Sequence, residues 1–192
     1  MGTTRLEAFS DGVIAILITI MVLELHVPHG DTLQALQPMI PTLASYVLSF
    51  VYLGIYWNNH HHMLHATHHV DGAILWANLH LLFWLSLVPF TTSWVGENHR
   101  AAAPTAVYGV VLFMAAIAYT LLQQRIIARQ GKASVLARAV GHDRKGRASL
   151  VLYGAAILCA FVNQWISDAL YVTVAIIWLV PDPRIERVLD DK

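Results

Sequence analysis

Arg5-Leu6-Glu7-Ala8-Phe9-Ser10-Asp11 opens directly into Gly12-Val13-Ile14-Ala15-Ile16-Leu17-Ile18-Thr19-Ile20-Met21-Val22-Leu23-Glu24. A helix needs about 20 residues to cross a hydrocarbon core of roughly 30 Å, and this run supplies them. Arg5 and Glu7 can sit at the membrane surface, whereas Asp11 lies about one or two turns deeper. A carboxylate at that depth costs several kcal/mol unless it is partnered, so it must face protein or water rather than lipid. Arg5 and Asp11 are six residues apart, about 240° around a helix, which keeps them from pairing with each other. Each is expected to tie the first helix to a neighbouring one. The plain reading is a buried polar clamp; direct contact with a permeant species is the sharper one.

The rest of the chain repeats this character. Of its 192 residues, 57% are hydrophobic and only 12% charged. Soluble domains carry nearer a quarter charged residues. That much apolar surface calls for a bilayer as solvent. The formal net charge is zero, so no general attraction to nucleic acid is expected. The lone cysteine, Cys159, excludes a disulfide framework within one chain and makes a thiolate metal site a poor fit. The first apolar run lacks a small-residue cleavage pattern and is read as a span, not a signal peptide. With no internal repeat and no long linker, residues 1–192 are read as one all-α membrane domain.

About six spans are expected: Thr4–Leu25, Met39–Trp57, Ala73–Val95, Pro104–Ile127, Ala148–Ile166 and a short Asp168–Val180 stopped by Pro181 and Pro183. The second can continue as helix through a histidine-rich segment. The last two are either full spans or a tight hairpin. Loop lysine and arginine stay on the cytoplasmic side. In a six-span topology, Arg5, the seven basic residues from Arg125 to Arg147, and Arg184, Arg187 and Lys192 share one side, and only Arg100 lies opposite. Eleven of the 12 basic residues therefore agree with both termini in the cytoplasm. The Arg125–Arg147 stretch reads as an anchor near anionic headgroups, with a regulatory lipid site as the sharper reading.

Within the first helix, Gly12, Ile16, Thr19, Ile20 and Leu23 share one face. Nearly every position in the run is apolar, so periodicity alone does not single that face out. An isoleucine stripe in a membrane helix ordinarily packs or meets lipid.

Arg5-x-x-x-Phe9-Ser10-Asp11 resembles the signature of the transmembrane protein 175 family of potassium-permeable channels. Trp57-Asn58-Asn59-His60-His61, Asn78 with Pro89-Phe90-Thr91-Thr92, and Pro181-Asp182 resemble later family patterns, so the resemblance covers most of the chain. It implies a pore lined by the first helix of each six-helix unit. One unit per chain implies the prokaryotic type, a homotetramer in the plasma membrane. No Thr-Val-Gly-Tyr-Gly filter loop is present, and the family manages without one. By position from the motif, the resemblance makes Ile16, Thr19, Ile20 and Leu23 pore-lining. Ile16 would form a hydrophobic constriction that closes by excluding water. Thr19 would offer hydroxyls to a partly hydrated cation. Arg5, Ser10 and Asp11 match a polar cluster tethering the pore helix, with Trp57 and a histidine as partners. His60 is one candidate among Asn58, Asn59, His60 and His61, and the motif does not choose. No cofactor is implied; potassium is the permeant species.

His60, His61, His62, His65, His68 and His69 crowd one segment. His61 with His65, and His65 with His69, have the i, i+4 spacing of paired metal ligands on a helix. Their plain reading is a histidine-rich cytoplasmic helix end, which invites modest pH sensitivity. The alternative function is a proton or divalent-metal transporter using Asp11, Glu24 and the His60–His69 cluster. No Gly/Pro-interrupted pair of spans supports it. An intramembrane enzyme would need a nucleophile–base set or a full metal triad, and nothing in the spacing demands one.

Overall fold

The computed structural model describes residues 3–67, 69–99, 101–131, 134–141 and 143–179. Every regular element among them is a helix. Helix α1 spans Thr4–Leu23, and a 3-10 helix, Leu33–Met39, leads into α2, Ile40–His65. Then follow α3 (Gly72–Ser86), α4 (Val88–Glu97), α5 (Ala102–Gln130), the short α6 (Val135–Val140), α7 (Arg144–Cys159) and α8 (Gln164–Leu179). Four stretches are long and apolar enough to cross a membrane: Thr4–Leu23, Leu33–His65, Gly72–Glu97 and Ala102–Gln130. With 16 residues each, α7 and α8 reach only about 24 Å. They pack against each other across the turn at 160–163.

Three expected boundaries move, each for a local reason. Helix α2 begins at Ile40 and takes the longer of its two expected ends, running through the histidine segment as far as His65. The third span breaks at Leu87, because Pro89 has no N–H to give the carbonyl of Leu85. Thr91 and Thr92 take up nearby carbonyls, Thr91 Oγ1 donating to Leu87 O at 3.2 Å and Thr92 Oγ1 to Val88 O at 2.7 Å. The expected joint between the last two spans near Ile166 and Asp168 is corrected to 160–163. Asn163 N donates to Cys159 O at 2.7 Å to close one helix, and Asn163 Oδ1 accepts from Trp165 N at 2.9 Å to open the next. The proposed end at Val180 lies outside the described residues.

Two cores meet along α2 and α5. One packs Leu6, Ile14, Leu17 and Met21 of α1 against α2, α3 and α5. The other gathers Tyr52, Tyr108, Tyr153 and Tyr171 where α2, α5, α7 and α8 converge. Buried tyrosines need partners for their hydroxyls. Tyr52 OH donates to Tyr171 O at 2.6 Å, Tyr171 OH to Thr105 O at 3.0 Å, and Tyr108 OH pairs with Ser49 Oγ at 3.0 Å. Gly109 makes this possible: a Cβ there would collide with the Tyr171 hydroxyl and with Ile157. Gly109→Ala is expected to push α8 off α5 and destabilise the fold by about 1–3 kcal/mol. Thermal unfolding in detergent would register this as a lower midpoint.

Candidate pore helix and its polar tether

Helix α1 is sided. Leu6, Ser10, Ile14, Leu17 and Met21 repeat at helical spacing and face inward. The buried polar member, Ser10, is held on both sides. Its Oγ donates to Leu6 O at 2.8 Å and accepts from Asn78 Nδ2 of α3 at 3.0 Å. The other end of the same amide, Asn78 Oδ1, lies 2.7 Å from His60 Nε2 of α2. Asn78 Oδ1 can only accept, so the imidazole hydrogen resides on Nε2. Ser10, Asn78 and His60 are all 0% exposed. One amide thus bridges three helices in a place where each unpaired polar group would be costly.

A second tie runs along the edge of the same interface. Trp57 Nε1 of α2 donates to Asp11 Oδ1 at 3.0 Å. One turn further along α2, His61 Nδ1 lies 2.9 Å from Glu7 Oε1 of α1. His61 also stacks on Trp57, ring centroids 6.2 Å apart, and on His65 at 6.1 Å. Asp11 and Glu7 are therefore both partnered by α2, as the depth of Asp11 requires.

The structure brings Ser10, Asp11, Trp57 and His60 to one interface and leaves Arg5 out. The Arg5 guanidinium is exposed and makes no ion pair among the described residues. Of the four candidates at the end of the second span, His60 is the one turned inward to Asn78. Asn59 instead donates its amide to Ile55 O at 2.8 Å. Sequence reasoning noticed Asn78 without giving it a role. Its signal was present: an amide in the middle of an apolar helix has to find partners.

The metal-ligand spacing does not carry through. Helix α2 stops at His65, so His65 and His69 do not share a helical face, and His61 is engaged with Glu7. Among the described residues, no group of three or more His, Cys, Asp or Glu side chains could hold a metal ion. His68 lies outside the described residues.

On its outer face, α1 presents Gly12, Ile16, Thr19, Ile20 and Leu23, with Ile16 57% and Leu23 80% exposed. Thr19 Oγ1 gives its hydrogen to Ile16 O at 2.9 Å, which leaves the oxygen lone pairs for an outside partner. A Cβ on Gly12 would meet nothing within 4 Å, so packing inside this subunit does not demand the glycine. Beyond Ile20, a groove between α1 and α4 carries Glu24 and Glu97 beside Phe90 and Trp94.

Comparison with known proteins places this arrangement. A potassium channel of Chryseobacterium sp. (strain P1-3) is 52% identical over 191 residues, 100% of both chains. The family model described as the endosomal/lysosomal potassium channel TMEM175 matches residues 5–89. The chain belongs to the TMEM175 family. The matched TMEM175 segment runs from Arg5 into the start of α4, and so contains every residue of the tether described above. A potassium channel of Streptomyces collinus is 37% identical over 126 residues, 62% of this chain and 61% of the relative. The fold also matches the crystal structure of a lysosomal potassium-selective channel TMEM175 homolog from Chamaesiphon minutus. That match has a TM-score of 0.81 at 27% identity, covering 94% of this chain and 97% of the other.

Proposed function

We propose that this chain is a potassium-permeable channel, a homotetramer whose pore is lined by the outer face of α1. What carries the reading is the siding of α1: its polar groups are spent inside the subunit on Asn78 and Trp57, while an isoleucine stripe holding one hydroxyl is left outside. The naming of end-to-end relatives as potassium channels supports it. Four copies of α1 around an axis place four Ile16 side chains in one ring, narrow and apolar enough to expel water and close the path. The ring of Thr19 oxygens lies next along the helix and gives a partly hydrated cation acceptors in place of lost water. Hydroxyls without a cage of carbonyls give modest selectivity for potassium over sodium. Glu24 and Glu97 set negative charge beside the end of the stripe and draw cations toward it.

The chain is a multi-pass membrane protein. In the proposed arrangement, residues 1–192 form one six-span domain in the plasma membrane of a prokaryote, with the α7–α8 hairpin as the last two spans and both termini cytoplasmic. No catalytic residue and no cofactor enter the reading. A proton or divalent-metal transporter built on Asp11 and the histidine cluster has less to work with. Asp11 is bonded to Trp57, and the described histidines do not converge on a metal site.

Thr19→Val tests the pore assignment, because it keeps the shape and removes the oxygen. In reconstituted liposomes, the potassium-to-sodium flux ratio is expected to fall about threefold, the effect of less than 1 kcal/mol at one ring of ligands. An unchanged ratio would take Thr19 out of the permeation path.

A further inference from the structure

The turn of α2 that holds the pore helix through Trp57 and His60 also lines, through Tyr56 and Asn59, a partly open cleft shared with α5, α7 and α8. Tyr52 and Tyr56 of α2, Tyr119 of α5, Tyr153 of α7 and Trp178 of α8 wall it with aromatic surface. Tyr56 meets Tyr119 edge-on, ring centroids 6.1 Å apart, and the Tyr52 and Tyr153 rings lie 6.3 Å apart. The space enclosed is about 40 Å³, room for about three waters or one flat ring.

Most hydrogen-bond donors in the cleft are spent on the protein. Tyr119 OH donates to Asn59 O at 3.3 Å and Thr120 Oγ1 to Ala116 O at 2.9 Å. Trp178 Nε1 donates to Ser149 Oγ at 2.8 Å, and Ser149 Oγ donates to Lys145 O at 2.8 Å. Acceptors are left over. Asn59 gives an Nδ2 hydrogen to Ile55 O at 2.8 Å, and its Oδ1 accepts no hydrogen bond among the described residues. Tyr56 is 9% exposed, yet its hydroxyl has no hydrogen-bond partner among the described residues, a costly state for a buried polar group unless an occupant supplies one. Asp143 is the one charged residue among those lining the cleft, and it makes no ion pair among the described residues. Its Oδ1 accepts from Gly146 N at 3.0 Å, and the carboxylate lies so close over Gly146 that a Cβ there would collide with it. Aromatic faces, spare acceptors and one carboxylate suit a cation with an apolar body and hydrogens to give. An anion would meet the carboxylate and few free donors.

We propose that this cleft binds an organic ammonium ion, with its flat apolar body among the tyrosines and its N–H groups on the Asp143 carboxylate. The proposal rests on the cleft alone and not on conduction. Because Trp57 and His60 act on α1 from the same turn of α2, an occupant would also bear on the pore helix.

Calorimetric titration of benzylamine into the full chain in detergent at neutral pH tests this without any flux measurement, with benzyl alcohol as the uncharged molecule of the same shape. Wild type should bind benzylamine about tenfold more tightly than benzyl alcohol. Asp143→Asn keeps an oxygen for the Gly146 cap and a residue type that tolerates the left-handed backbone at this position, φ 37°. It should weaken benzylamine about tenfold and leave benzyl alcohol as it was. Ala116→Leu fills the cleft from α5 and should abolish binding of both without lowering the thermal midpoint. Equal affinity of wild type for the two molecules, or benzylamine binding that survives either substitution undiminished, would overturn the proposal. So would the absence of binding by wild type, which would leave the cleft to water.

Discussion

Ile16→Asn raises potassium flux through reconstituted vesicles about tenfold and lowers the preference for potassium over sodium. The side chain is 57% exposed on the subunit, so the substitution leaves no cavity in the core, and the fold should survive it. Its effect belongs to the assembly. In the proposed tetramer, a ring of four isoleucines would hold water out because a narrow apolar throat cannot replace lost water–water hydrogen bonds. Four amides can, and the throat wets. A tenfold rise corresponds to about 1.4 kcal/mol off the barrier, a modest demand on four simultaneous changes. Selectivity falls because a wetted throat lets sodium keep more of its hydration. Tracer flux for each ion, at matched protein per vesicle, checks both effects, and unchanged flux would remove Ile16 from the constriction.

Asn78→Ala destabilises the protein by about 2 kcal/mol. The substitution strands the buried His60 Nε2 on α2 and removes the donor to Ser10 Oγ on α1, which keeps its bond to Leu6 O. Each unpaired buried group costs about 1–3 kcal/mol in water-soluble proteins. Hydrogen bonds between membrane helices average nearer 0.6 kcal/mol because the separated helices find other partners. With one stranded imidazole N–H and one interhelical bond to Ser10 lost, the cost comes to about 2 kcal/mol, a drop of about 4–8 °C for a chain of this size. Ser10→Ala should cost less, since Ser10 keeps a local acceptor in Leu6 and its loss strands only the Asn78 amide. The double variant should cost less than the sum, because both changes break the same bond. Additive losses in thermal unfolding would mean that Ser10 and Asn78 act separately.

Much of this was legible in the sequence, because hydrophobic runs and loop charges answer directly to the bilayer. The first span and the need of Asp11 for a partner followed from the cost of a carboxylate in hydrocarbon alone. What that cost could not reveal is the identity of each partner. Trp57 reaches Asp11 and His61 reaches Glu7 because α2 stays helical to His65, past the point where its apolar run ends. The sequence allowed that continuation without naming the partners it would reach. The α7–α8 joint was misplaced for a related reason. Phe161 and Val162 look like span interior, yet they sit at an exposed turn that Asn163 closes through backbone bonds. The stripe of Ile16, Thr19, Ile20 and Leu23 could not be separated from its neighbours by periodicity, since Ile14 and Leu17 are equally apolar. Burial separates them: Ile14 is 1% exposed and Leu17 6%, against 57% for Ile16.

The central claim is that the outer face of α1 meets ions and not lipid. The chain has one cysteine, Cys159, so Cys159→Ser gives a background free of thiols. Single cysteines at Ile16 and Thr19, with a third at the exposed Val151 of α7, can then be treated with a charged, membrane-impermeant thiosulfonate while potassium flux is followed. The account predicts that modification at Ile16 or Thr19 blocks flux by more than about tenfold and that modification at Val151 does nothing. Full flux after verified labelling at Ile16 and Thr19 would contradict it and put that face against lipid.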